Sequence, residues 1–206
     1  MRRTLKRIIG RAYLRASGWE TEGERPSAPA FVLIAAPHTS NWDMPIALAV
    51  SFAYELPMRW AGKHTLFRWP YGWLFEALGG IPIVRDERGD RVHKLASLFD
   101  EHAGFVLGMP AEGTRGRAEH WKSGFYHIAQ EAGVPIVCGY LDYERKRGGL
   151  GLVIEPTGDI HADMDRIRAF YADKVGKHPE KFGPVRLREE LDATDETPES
   201  RDPPKR

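Results

Sequence analysis

His38 and Asp43 stand five positions apart in the run His38-Thr39-Ser40-Asn41-Trp42-Asp43. A free imidazole titrates near neutrality, and a carboxylate bonded to its second nitrogen fixes the tautomer and stabilises the imidazolium formed after proton abstraction. The pair therefore has the make-up of a general base with its orienting acid. The same spacing also suits a structural arrangement, in which Asp43 caps a helix and His38 bonds a neighbouring carbonyl. The elements around the pair and the rest of the chain have to decide between the two.

Directly before the pair, Phe31-Val32-Leu33-Ile34-Ala35-Ala36-Pro37 is an apolar run closed by proline, the pattern of a strand covered on both faces. Residues 44–54 have helical composition. His38 then belongs in a strand-to-helix loop with Asp43 near the helix start, at the carboxyl end of a strand, where open α/β sheets bind their ligands. Further strand-like runs at 58–61, 80–84, 105–109, 134–140 and 150–154 alternate with helical stretches. Val92, Leu95, Ala96 and Phe99 mark one core-facing helical stripe, and Ile167, Phe170, Tyr171 and Val175 mark another. The alternation predicts an α/β fold: a single layered domain with a mostly parallel central sheet flanked by helices.

Four further blocks follow in order. These are Gly80-Ile81-Pro82-Ile83-Val84-Arg85, Glu112-Gly113-Thr114-Arg115, Lys122 and Gly124 of Trp121-Lys122-Ser123-Gly124, and Val134-Pro135-Ile136-Val137. With the His38 to Asp43 spacing, they resemble the motif series of the glycerolipid acyltransferases, a family that includes the 1-acylglycerol-3-phosphate acyltransferases. The resemblance spans about residues 31 to 140. It implies His38 and Asp43 as catalytic residues. It implies an acceptor site built from Arg85, Glu112, Gly113, Thr114, Arg115 and Lys122. It further implies an apolar block, Val134, Pro135, Ile136 and Val137, at the acyl chain. The implied acceptor is a lysolipid and the implied co-substrate is acyl-CoA or an acylated acyl carrier protein, with no bound cofactor and no metal. The chain departs from the family pattern at Ala111, where proline is common before the glutamate, at Gly116 in place of serine, and at Cys138 in place of proline. These departures bear on the acceptor more than on the reaction, and they admit a non-phosphate lysolipid such as a lyso-amino-acid lipid. A lipid-binding protein on the same fold, without turnover, is the other reading.

The residue types suit acyl transfer on their own account. An alcohol must lose its proton to attack a thioester, and a positioned base contributes on the order of 10²–10⁴-fold. No Gly-x-Ser-x-Gly elbow is present, and the single cysteine, Cys138, lies in an apolar run where a thiol is an inert small hydrophobe. Direct transfer without an acyl-enzyme is expected. Arg85 and Arg115 present paired donors that match phosphate or carboxylate, Gly113 and Thr114 fit a tight turn, and Glu112 is placed to orient Arg115 or the loop. His64, His93, His102, His120, His127, His161 and His178 form no metal-ligand spacing, and no nucleotide-binding glycine loop or nucleic-acid module is present.

At 206 residues, 42% hydrophobic and 29% charged, the chain is long enough for one full core, expected over residues 20–188. The net charge of +1 hides a basic amino end, where Arg2, Arg3, Lys6, Arg7, Arg11 and Arg15 carry no acidic counterpart. Leu5, Ile8, Ile9, Ala12, Tyr13, Ala16 and Trp19 recur among them at helical spacing. Residues 1–19 are therefore read as an amphipathic helix that either lies in an anionic membrane interface or docks on the domain. No run reaches the roughly 20 apolar residues of a membrane span. Arg11 and Arg15 interrupt any secretory signal. A lone cysteine suits a reducing compartment, so the cytoplasmic face of a membrane is the expected location. The aromatics Phe67, Trp69, Tyr71, Trp73 and Phe75 alternate around Pro70 and Gly72 in an irregular segment, either a packed patch or the wall of an acyl groove. Residues 189–206, rich in charge and proline, are expected to form a disordered tail.

Overall fold

The computed structural model describes residues 2–83 and 91–192. Its centre is the strand β2 (Phe31–Ala36), five of whose six residues are buried, because helices cover both faces of the sheet there. The other strands are β1 (Glu20–Glu22), β3 (Met58–Lys63), β4 (Gly80–Ile83), β5 (Val106–Pro110), β6 (Ile136–Asp142) and β7 (Arg147–Ile154). They form one sheet in the order β1-β7-β6-β2-β5-β3-β4. Strands β2 to β6 run parallel, whereas β7 is antiparallel to β6 and β1 is parallel to β7. The domain is thus the single α/β layer structure with a mostly parallel sheet that the alternation of apolar runs predicts.

Side chains alternate across β2. Val32, Ile34 and Ala36 enter the larger core with residues of the helices α4 (Arg91–Glu101), α5 (Gly124–Ala132) and α6 (Ile160–Tyr171). Phe31 and Leu33 point the other way, into a second cluster with Leu56, Val106, Val137 and Leu150. That opposite face carries α2 (Asp43–Ala53) and the helix α1 (Arg2–Ser17) packed on it, with α3 (Gly72–Ala77) beside them. Of the expected stripes, Leu95, Ala96 and Phe99 are buried on α4 with Val92 half-buried beside them, and Ile167 and Tyr171 are buried on α6 with Phe170 half-buried, while Val175 lies past the end of that helix.

Of its two sequence expectations, the amino-terminal helix shows the docked one. It docks through a narrow seam, in which Gly10 sits so close to α2 that a Cβ there would lie 2.6 Å from the Ala49 carbonyl oxygen, and Leu14 is 3% exposed. Leu5, Ile8 and Ile9 remain between 52% and 60% exposed on the outer side. The aromatic segment also divides. Phe67 and Phe75 turn in against Trp60, with ring centroids 5.9 and 6.1 Å away, while Trp69, Tyr71 and Trp73 face outward. Residues 189–192 correct the expected tail: Glu189–Asp192 forms a short helix, α7, and Glu190 is 9% exposed and paired with Arg168. Residues 193–206 of that expected tail lie outside the described residues.

Candidate active site

The parallel strands deliver their following loops to one end of the sheet. At that end β2 gives way to His38, and α2 begins at Asp43. The Asp43 carboxylate does not cap α2; Trp42 occupies the N-cap position and makes no side-chain capping bond. Instead Oδ2 of Asp43 accepts the backbone N–H groups of Thr39 and Ser40, each at 2.9 Å, and lies 3.1 Å from His38 Nδ1. Oδ1 accepts the hydroxyl of Tyr143 at 2.7 Å. Asp43 is 4% exposed. Burial pushes its carboxyl upward, but the hydrogen bonds from His38, Tyr143 and Ser40 outweigh that and hold it below the usual carboxylate range. An ionised Asp43 keeps the proton of His38 on Nδ1 and leaves the Nε2 lone pair free to accept another. The His38 side chain is 22% exposed, open enough to meet a substrate.

Strand β5 pairs with β2 in register, Ala35 beside Pro110, so the residues that follow each strand come side by side. Glu112 uses this neighbourhood: its Oε1 accepts the His38 backbone N–H at 2.5 Å. It is 1% exposed, and its Oε2 has no hydrogen-bond partner. Burial raises its carboxyl to about 7, only partly offset by the His38 N–H, with the charge of Asp43 adding to the rise. The sequence reading places Glu112 at the acceptor, orienting Arg115 or the loop; its observed partner is the His38 backbone. The carboxyl is shut away from solvent and fixes the backbone of His38. Gly113 follows with φ +68, and a Cβ there would strike Lys122 Cγ at 2.9 Å. Lys122 in turn bonds the Ala111 carbonyl through its N–H at 2.9 Å. Thr114, Arg115 and Lys122 are exposed around this turn, one strand over from His38. Arg85 lies outside the described residues; the block that precedes it forms β4, the edge strand next to β3.

Val134, Pro135, Ile136 and Val137 are not part of this grouping. Val137 pairs with Leu33, which precedes His38 by five positions, about 16 Å along a strand. Ile136 and Val137 are 0% exposed in the middle of the sheet. The block expected at the acyl chain thus lies in the buried centre and at the opposite end of the sheet from His38. A cavity of about 260 Å³ lies elsewhere, between α2 and α3, with Leu48, Phe52, Leu56 and Met58 in its lining together with Lys6 and Arg59.

The local spacing missed two contributors. Tyr143 follows β6 and reaches Asp43 across 100 positions. The segment after α6 covers the His38 loop: the His178 N–H donates to Thr39 Oγ1 at 3.2 Å, and Gly176 comes so close that a Cβ would lie 2.9 Å from both Thr39 Oγ1 and Pro37 Cβ. Lys177 Nζ sits 5.3 Å from the ring centroid of Trp42. Among the described residues, no three His, Cys, Asp or Glu stand together in a way that could hold a metal ion.

A family model described as acyltransferase matches residues 20–141, more than half of the chain, and its span contains His38, Asp43 and the Glu112 turn. This chain belongs to the acyltransferase family. No curated protein matches it in sequence. Among solved structures it is similar to the 1-acyl-sn-glycerophosphate (LPA) acyltransferase PlsC from Thermotoga maritima, at 16% identity and a TM-score of 0.54, over 85% of this chain and 81% of that one. At that identity the likeness is one of fold.

Proposed function

We propose that this protein transfers a fatty acyl group from a thioester donor, acyl-CoA or an acylated acyl carrier protein, to the free hydroxyl of a lysophospholipid or a 1-acylglycerol-3-phosphate-like acceptor. The observation that carries the reading is the His38 Nδ1 to Asp43 Oδ2 contact at 3.1 Å in a partly open loop beside an exposed basic turn. His38 Nε2 takes the proton of the acceptor hydroxyl as its oxygen attacks the thioester carbonyl, and Asp43 stabilises the imidazolium. The tetrahedral intermediate then collapses, the carbon–sulfur bond breaks, and the departing thiolate takes the proton from His38. The ester and the free thiol leave together. Cys138 supplies no competing nucleophile, since it is 0% exposed and burial pushes its thiol up to about 12. Arg115 and Lys122, with Arg85 from the second block, suit an anionic headgroup. The name of the Thermotoga maritima protein supports an acceptor of the glycerol phosphate kind.

The outward stripe Leu5, Ile8 and Ile9 among basic residues suits an anionic membrane surface, and the proposed location is its cytoplasmic face. Among the described residues no helix is long and apolar enough to cross a membrane. The test is thiol release from each donor by the purified protein with a panel of lysolipids, with mass spectrometry of the lipid and His38→Ala as the blank. Release that needs acceptor and His38, with an acylated lipid formed, is the expected result. Release without acceptor, equal rates in His38→Ala, or lipid binding with no transfer from either donor would each overturn the proposal.

A further inference from the structure

The Asp43 carboxylate has two oxygens, and only one of them faces the base. Oδ1 points away from His38 and receives one side-chain donor, the Tyr143 hydroxyl. A carboxylate turns easily about its last torsion, so the angle at which Oδ2 meets His38 depends on what holds Oδ1. Tyr143 is itself held. It is half-buried at the end of β6, and its backbone N–H donates to the Val175 carbonyl at 2.8 Å. The indole of Trp19 meets its ring edge-on, with centroids 4.9 Å apart and planes at 87°. Trp19 is 6% exposed, two residues past the end of α1, and its N–H donates to the Leu14 carbonyl at 2.8 Å. Leu14 and Trp19 share one buried cluster with Ile46, Ala49 and Val50 of α2 and Leu141 of β6. An unbroken series of contacts thus runs from α1 through Trp19 and Tyr143 to Asp43 and His38.

We propose that Tyr143 is a positioning residue for the His38–Asp43 pair, and that Trp19 holds it in place, so that the seating of α1 on α2 sets the geometry of the base. The proposal rests on the reading of His38 as that base. Burial first, then the hydrogen bond to Asp43 and the charges of Asp43 and Tyr13, hold the Tyr143 phenol well above its usual range, so it remains a donor wherever the enzyme works. The titratable groups that act on this set are His38 itself, Tyr13 from α1 and Glu112 from the β5 turn. Without the phenol, Oδ1 is left buried with no side-chain donor, and the pair takes up a proton more readily because one stabiliser of the charged carboxylate is gone.

Tyr143→Phe removes the hydroxyl and keeps the ring that Trp19 touches. The expected result is a kcat lower by about tenfold, an unchanged KM, and an acid limb of the pH–rate profile moved to higher pH by up to about one unit, titrated as a pair. Trp19→Leu is expected to give a smaller loss of the same kind with Tyr143 present. The pH titration of the His38 ring NMR signals, assigned with His38→Gln, reads the same shift without substrate. A Tyr143→Phe enzyme with the wild-type kcat and acid limb would overturn the proposal, as would a loss of rate that only tracks loss of folded protein by thermal melting. If the wild type transfers no acyl group, the functional reading fails by itself, and the ring titration still decides: identical midpoints in wild type and Tyr143→Phe sink the positioning role.

Discussion

Glu112 places a carboxyl with an unpartnered oxygen in the core beside His38, and that has a sign that can be checked. Its folded value of about 7 lies above the 4.5 of an ordinary glutamate. Below about 4.5 the folded and unfolded forms are both protonated and burial costs nothing extra; between the two values the unfolded chain ionises first; above 7 the full cost is present. The contribution of Glu112 to wild-type stability should therefore fall as pH rises from 4.5 to 7. Glu112→Gln keeps an oxygen for the His38 N–H and cannot ionise, so its stability relative to wild type should rise over the same window, by up to roughly 3 kcal/mol above pH 7. Denaturant midpoints of both proteins at pH 4.5, 6 and 8 check this, and a difference that stays constant with pH would contradict it. His38 and Asp43 were legible in the sequence because their contact closes over five positions in one loop. The Glu112 bond to the His38 backbone and the Tyr143 bond to Asp43 were not, since they span 74 and 100 positions and depend on which strands become neighbours.

At the scale of elements, apolar runs revealed β2 to β6 well because each is a short hydrophobic stretch between breakers. Their ends were less visible. Gly62 and Lys63 extend β3 past the expected run in pairings that only a neighbouring strand could dictate, and β1 is a polar triplet, Glu-Thr-Glu, with no apolar signature at all. The same limit explains Val134 to Val137, where an apolar block at a motif position reads alike as a chain-binding wall or as the middle of a sheet. Position along the strand distinguishes them, and it sets Val137 about 16 Å from His38. Val137→Ala should cost on the order of 2 kcal/mol of stability through the cavity it leaves, while the preferred acyl chain length stays as in wild type. Competition among donors of different length, followed with a melting curve, tests both halves; a shifted length preference at full stability would return the block to the acyl site.

Across the whole molecule, the outward face of α1 lies on the same side of the sheet as α2 and α3, with the exposed Trp69, Tyr71 and Trp73 beyond the carboxyl end of β3. On the proposed reading these surfaces meet a bilayer, each large apolar side chain contributing about 1.5–3 kcal/mol if fully buried there. Replacing Leu5, Ile8 and Ile9 together by serine should lower the partition onto anionic vesicles by about a hundredfold or more, and should leave thermal stability near wild type because none of the three is buried in the fold. Flotation with vesicles of graded anionic content measures it, and undiminished binding would move the contact elsewhere. The same amino-terminal segment closes the sheet. Beyond α1 the chain lays β1 along β7 so tightly that a Cβ on Gly149 would fall 1.9 Å from the Glu22 carbonyl oxygen. β1 is three residues long, wholly exposed and carries two glutamates, a poor template for a stranger's strand. A truncation made to shed the amphipathic helix, if it ran through residue 22, would uncover the longer, glycine-rich rim of β7 in its place. Such a protein would trade affinity for lipid against affinity for itself, and insolubility would follow from a missing guard strand rather than from any fault in its core.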